Sequence, residues 1–212
     1  AMKEAGSIEV LFKGISFKEN SGLVHKGIRK DFSDEAYSLS VIDAAGNLRL
    51  SVTGSDGKSS WIETDTGLST DSWYHVVATW DTSSRLMRIY INGRLEAEGD
   101  CTTGPLRDIT AKGGGDLLIG AQMAFKLNNT LGYLGFNGII DRVELRTTAL
   151  PADEVSARFE ALPELQESWL TAFIMRVRPS DRGMVLLVLL AVAAITSFFW
   201  LRNRSRCGKE SC

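Results

Sequence analysis

Cysteine is scarce, at 3 in 212 residues, which excludes a disulfide-stapled scaffold. Histidine numbers 2, and no CxxC or HxxxH spacing occurs, so the usual zinc frameworks are missing too. Positive charge is not in surplus either. Against 24 Lys and Arg stand 26 Asp and Glu, a net charge of −2, and no nucleic acid partner is implied without a basic excess to neutralise phosphates. The N-terminal run AMKEAGSIEVLFKG lacks the uninterrupted apolar stretch of a secretory signal. Disorder is excluded by what is present, 44% apolar residues with 24% charged. Ala1 precedes Met2, so a removed signal peptide or a longer N-terminal part is expected ahead of the chain, with a tail-anchored cytosolic domain as the alternative.

One long apolar run breaks the pattern. Gly183 to Leu201, GMVLLVLLAVAAITSFFWL, holds 19 residues without a charge. As a helix it would rise about 28 Å, near the hydrocarbon thickness of a bilayer, and a transmembrane helix over 183–201 is expected. Phe198, Phe199 and Trp200 stand at one end, where aromatic rings favour the headgroups. Arg202 and Arg204 follow within a short basic tail, 202–212, which places that end in the cytoplasm and the N-terminal domain on the extracytoplasmic, periplasmic or extracellular side. Arg176, Arg178 and Arg182 flank the other end and weaken that orientation. Cys207 and Cys212 are candidates for lipidation.

Two helical stretches precede the span. Pro151 opens PADEVSARFEAL with acids in its first turn. Over 161–182, Leu162, Leu165, Trp169, Phe173 and Val177 recur at helical spacing, with Ile174 widening the stripe. This segment reads equally as a helix packed on the domain or as a juxtamembrane helix in the headgroup layer, with Trp169, Phe173, Ile174 and Val177 as membrane or partner contacts.

Residues 1–160 read as strands. Tyr37, Leu39 and Val41 alternate with serines, and Leu48, Leu50 and Val52 with Arg49 and Ser51, around the turn residues Gly46-Asn47. Trp73 to Trp80 and Leu86 to Ile91 are β-rich runs, and Asn92-Gly93 is a strong type I′ hairpin signal. Leu117 to Ala121 and Gly138 to Leu145 complete the set. Short strands, frequent turns and no intervening helix predict an all-β, antiparallel two-sheet sandwich.

The runs DSWYHVVATWD, RLMRIYINGRLEAEG, DLLIGA and FNGIIDRVELRTTALPADEVSARF, in that order, resemble the laminin-G-like branch of the concanavalin-A-like lectin/glucanase superfamily. The similarity covers about Gly6 to Phe159 and implies a jelly-roll sandwich, with SIEVLFK as an early strand. In the family a further strand usually precedes that position. Here six residues remain, so either the strand lies further upstream or the sandwich has an open edge that a partner completes.

The superfamily includes glucanases, whose E-x-D-x-x-E strand supplies nucleophile and general acid. The matching run is Ile139 to Glu144. Asp141 and Glu144 fit, but Ile139 cannot form a glycosyl ester, so no catalytic residue is assigned. Asp141 reads as structural, with Arg142 as its ion partner, and His75 as a structural histidine. Some laminin-G-like domains bind calcium, for which Asp56, Asp65, Asp71 and Asp81 are the loop acids to examine. Trp61, following the polar SDGKSS loop, is the candidate for sugar stacking, whereas Trp73 reads as core. Asn128-Asn129-Thr130 fits a glycosylation acceptor.

The sequence thus reads as a non-enzymatic, membrane-anchored interaction module. The favoured role is an accessory subunit whose sandwich docks on a larger membrane complex. The alternative is a cell-surface receptor for carbohydrate or protein, with Trp61, Asp56, Asp65 and Asp71 as ligand-binding candidates. A glycan-active hydrolase ranks behind both.

Overall fold

The computed structural model describes residues 2–28, 34–108, 115–127, 130–162 and 165. Contacts divide the chain after Leu162, and the first unit holds the sandwich. Trp169, Phe173, Ile174, Val177, Phe198, Phe199, Trp200, Arg202 and Arg204 lie outside the described residues, as do Asn128, Cys207, Cys212 and the apolar run 183–201. Among the described residues no helix is long and apolar enough to cross a membrane.

The described strands begin with β1 (Ala5–Ser16), β2 (Ser21–Ile28), β3 (Asp34–Val41), β4 (Leu48–Thr53), β5 (Ser59–Glu63) and β6 (Trp73–Asp81). They continue with β7 (Leu86–Ile91), β8 (Arg94–Asp100), β9 (Leu117–Ile119), β10 (Ala121–Leu127), β11 (Thr130–Gly135) and β12 (Asn137–Arg146), before helix α1 (Ala152–Glu160). One sheet has the order β12-β1-β6-β7-β8 and the other β10-β11-β2-β3-β4-β5, with β9 also paired to β2. Pairing is antiparallel throughout except for a single parallel bridge between Gly135 and Gly22.

Alternation explains the sandwich. Ile8, Val10 and Phe12 of β1, Leu39 and Val41 of β3, Leu48, Leu50 and Val52 of β4 and Ile89 of β7 point between the sheets, all but inaccessible to solvent. Trp80 of β6 reaches across and stacks on Tyr37 of β3, ring centroids 5.4 Å apart. Asn92 and Gly93 have φ of 50° and 75°, the left-handed pair that a type I′ turn requires between β7 and β8.

The edge expected beside SIEVLFK is filled. β1 pairs with β6 on one side and β12 on the other, Ser7 lying opposite both Thr79 and Arg146. Its outward residues are buried as well, because α1 covers that face. Val77, Tyr90, Leu150 and Val155 form a small second core there. Beside it, His75 Nε2 donates to Glu9 Oε1 at 2.9 Å and its ring stacks on Phe159. Arg158 of α1 reaches Glu9 at 3.3 Å and Glu154 at 2.9 Å. Burial opposes the charge on Glu9, but the hydrogen bond and electrostatic pull of His75 and the positive charges of Arg158 and Arg146 prevail, leaving its pKa below the ordinary value. His75 is therefore structural, as the sequence suggested. Arg142 is not the ion partner of Asp141. Asp141 is the extra residue of a β-bulge, between Ile140 opposite Phe12 and Arg142 opposite Leu11, and a bulge turns its side chain to solvent.

Candidate functional site

The outward side chains of the second sheet build a depression. Because register is antiparallel and unbroken from β3 to β5, Ser38 lies opposite Ser51, and Ser51 opposite Trp61. His25 of β2 lies opposite Ser38 and completes a row across four strands. A second row joins Ser40 to Arg49 and Arg49 to Glu63, and a third pairs Thr53 with Ser59. The result is a groove of about 370 Å³ floored by Ser38, Ser40, Ser51, Thr53 and Ser59, and bounded by Glu35, Arg49, Trp61 and Gln122. That volume falls in the range of small-molecule sites, roughly 300–1,000 Å³.

Trp61 is 61% exposed, an unusual position for a large aromatic side chain. In its row the two adjoining strands place Ser51 and then Ser38, so no bulky side chain stands directly beside its ring. Gln122 is held at the opposite side. Gly22 has no Cβ, and one placed there would strike the backbone of Ala121 and Gln122. That close approach lets β10 lie against β2, where the Gln122 amide donates to the Asn20 carbonyl.

Glu35 is buried, with 4% of its surface exposed. One carboxylate oxygen accepts from Ser38 Oγ at 2.6 Å, and the other lies 3.6 Å from His25 Nδ1. His25 Nε2 donates to the Gly27 carbonyl at 3.0 Å, so the imidazole is fixed from two sides. Thr53 and Ser59 share a hydrogen bond of 2.9 Å. Arg49 directs its guanidinium to Glu63, with Nε at 2.6 Å. The hydroxyls of Ser40 and Ser51 make no hydrogen bond to a described residue and remain available to a ligand.

Of the residues picked from sequence, the structure brings only Trp61 to this groove. Asp56 bends back to the Lys58 amide at 3.1 Å and to its ammonium at 3.8 Å. Asp81 accepts from the amides of Ser83 and Ser84 at 2.8 and 3.2 Å. Asp65 and Asp71 are exposed in a different loop. Among the described residues no three His, Cys, Asp or Glu side chains gather as metal ligands, because these acids serve separate turns. Trp73 is not core: it is half-buried beneath the Lys13 ammonium, 5.5 Å from its ring. Glu35, Gln122 and His25 were missed. The available signal was a strand face paved with serine where solvated faces usually carry lysine and glutamate.

Glu35 is the one carboxylate among the described groove residues, whereas both retaining and inverting glycosidases need two. Glu144 belongs to the other sheet, where it binds Arg146 and lies 3.8 Å from Arg158.

Similar folds occur among binding proteins. The chain superposes on the carbohydrate-binding module CBM40 of Ruminococcus gnavus IT-sialidase bound to α2,3-sialyllactose, with TM-score 0.59 and 21% identity, covering 74% of this chain and 83% of that one. A heptameric SAP-like pentraxin from Limulus polyphemus aligns with TM-score 0.51 and 16% identity, over 73% and 69% of the two chains. A proposed carbohydrate-binding protein from Bacteroides ovatus aligns with TM-score 0.56 and 22% identity over 72% of this chain. This chain spans only 40% of that protein's length. No curated protein sequence matches. The Laminin_G_3 family profile, described as the concanavalin A-like lectin/glucanases superfamily, matches residues 3–156. Both the sandwich and that match make the chain a member of the concanavalin A-like lectin/glucanases superfamily.

Proposed function

We propose that the protein is a non-catalytic carbohydrate-binding module, displayed from the outer side of a membrane by the apolar segment 183–201. The observation that carries this reading is the Trp61 groove. An exposed indole beside a floor of hydroxyls suits a sugar, which presents an apolar ring face and a fringe of hydroxyls at once. Hydroxyl groups donate and accept, so a serine floor can match a sugar hydroxyl in either role. The Ruminococcus gnavus module, which holds a sugar on the same fold, supports the reading.

Docking to a membrane complex ranks second, because one of the docking surfaces that motivated it, the free edge of β1, is occupied by β12 and β6. A glycan array probed with the full chain in detergent tests the proposal. Binding is expected, and Trp61→Ala should weaken it by at least about tenfold, the loss typical of a central contact. Binding indifferent to that substitution would overturn the site. For the anchor, membrane fractions washed with alkaline carbonate should retain the protein, and its release without detergent would refute the span.

A further inference from the structure

We infer that the groove selects neutral glycans over anionic ones, an assignment that rests on the carbohydrate reading above and narrows its ligand class. Two charged side chains line the described groove, Glu35 and Arg49. They are not equivalent. The Arg49 guanidinium, the one cationic group among the described lining residues, is already committed to Glu63 across the β4–β5 pair, through Nε at 2.6 Å and through Nη2. The Nε–Nη2 edge of the guanidinium, the edge that would grip an oxyanion in a fork, is thereby turned to one oxygen of the protein's own carboxylate.

Glu35 has no such lysine or arginine partner among the described ion pairs. Its carboxylate takes one hydrogen bond from Ser38 and faces the His25 ring at 3.6 Å. The Arg49 charge is balanced by Glu63 within their own pair, so Glu35 is the carboxylate left among the described lining residues. The remaining lining groups, Ser38, Ser40, Ser51, Thr53, Ser59, Trp61 and Gln122, are neutral. An incoming carboxylate or sulfate would therefore meet the like charge of Glu35 at the groove wall and find the one described guanidinium turned to Glu63. A neutral sugar meets hydroxyls, an amide and an indole. The ligand class follows: hydroxyl-rich, uncharged pyranosides.

The test is an array of matched pairs, each neutral glycan printed beside its sialylated or sulfated counterpart, probed with the full-length protein in detergent. Neutral members should bind, and their charged partners more weakly by about fivefold or more, the factor for one unit-charge repulsion at about 4 Å in water. Glu63→Gln, a change at an exposed strand position, frees Arg49 and should raise binding of the charged members while leaving the neutral ones unchanged. Charged members binding as well as or better than neutral ones would overturn the selectivity, and alone if Trp61→Ala still weakens both. Selectivity that is unaltered in Glu63→Gln would overturn the role given to the Arg49 pair. If no glycan of either kind binds, the carbohydrate reading falls and this inference with it.

Discussion

Glu9→Gln is the substitution on which the account of the α1 face is most exposed. Glutamine keeps the size and one acceptor oxygen but removes the charge. Glu9 makes a buried charge-assisted bond with His75 at 2.9 Å and a longer contact with Arg158 at 3.3 Å. Hydrogen bonds to charged groups contribute about 1.5–3 kcal/mol, so a loss of about 2 kcal/mol is expected at neutral pH. For a chain of this size that lowers the unfolding midpoint by about 4–8 °C. The pH dependence is the sharper readout. Folding holds the Glu9 pKa below its ordinary value of 4.5, so its stabilisation is complete above 4.5 and lost as pH falls through the lower folded value. Thermal unfolding of both proteins, followed by near-ultraviolet circular dichroism from pH 7 to pH 3, should show a gap that persists to about pH 5 and then closes. A gap of the same size at every pH, or none at pH 7, would refute the clasp.

Other substitutions test the framework. Gly22→Ala sets a methyl group against the β10 backbone and should cost about 1–3 kcal/mol in a urea titration while weakening glycan binding. Gly104→Ala, where nothing lies within 4 Å, is its control and should stay within about 0.5 kcal/mol of the parent. Asn92→Ala places alanine at φ 50° and deletes the Oδ1 acceptor of the His75 amide, 3.0 Å away. Its unfolding midpoint should fall, and Asn92→Gly should recover only the backbone part. Trp80→Ala removes the indole that links the two sheets and should cost about 3–5 kcal/mol by chemical denaturation.

Legibility followed sequence distance. The β3–β4 and β7–β8 hairpins could be read directly, since alternation and the Asn92-Gly93 turn lie within one short window. β1 was legible as a strand but not in its surroundings: Glu9 and Ser7 look solvent-facing until α1, some 145 residues later, covers them. β2, β10 and β11 were not anticipated, and neither was β5, whose first residues, Ser59 and Ser60, were read as the end of the polar SDGKSS loop. The groove was legible only at Trp61. Its floor is a cross-strand object, assembled by register between Ser38, Ser51 and Trp61, and no local window contains it. Glu35 and Gln122 meet there from positions nearly ninety residues apart.

The placement of β1 between β6 and β12 governs how the chain can be made. The strand leaves the ribosome well before β12, so one of its flanks waits for residues 137–146 before it can be hydrogen-bonded. At ordinary elongation rates that delay is on the order of ten seconds. Throughout it the nascent protein exposes a long apolar ribbon able to pair with any neighbouring polypeptide. Interrupted synthesis short of residue 137 would release just such a fragment, and a chaperone holding the early ribbon is the natural safeguard during translation.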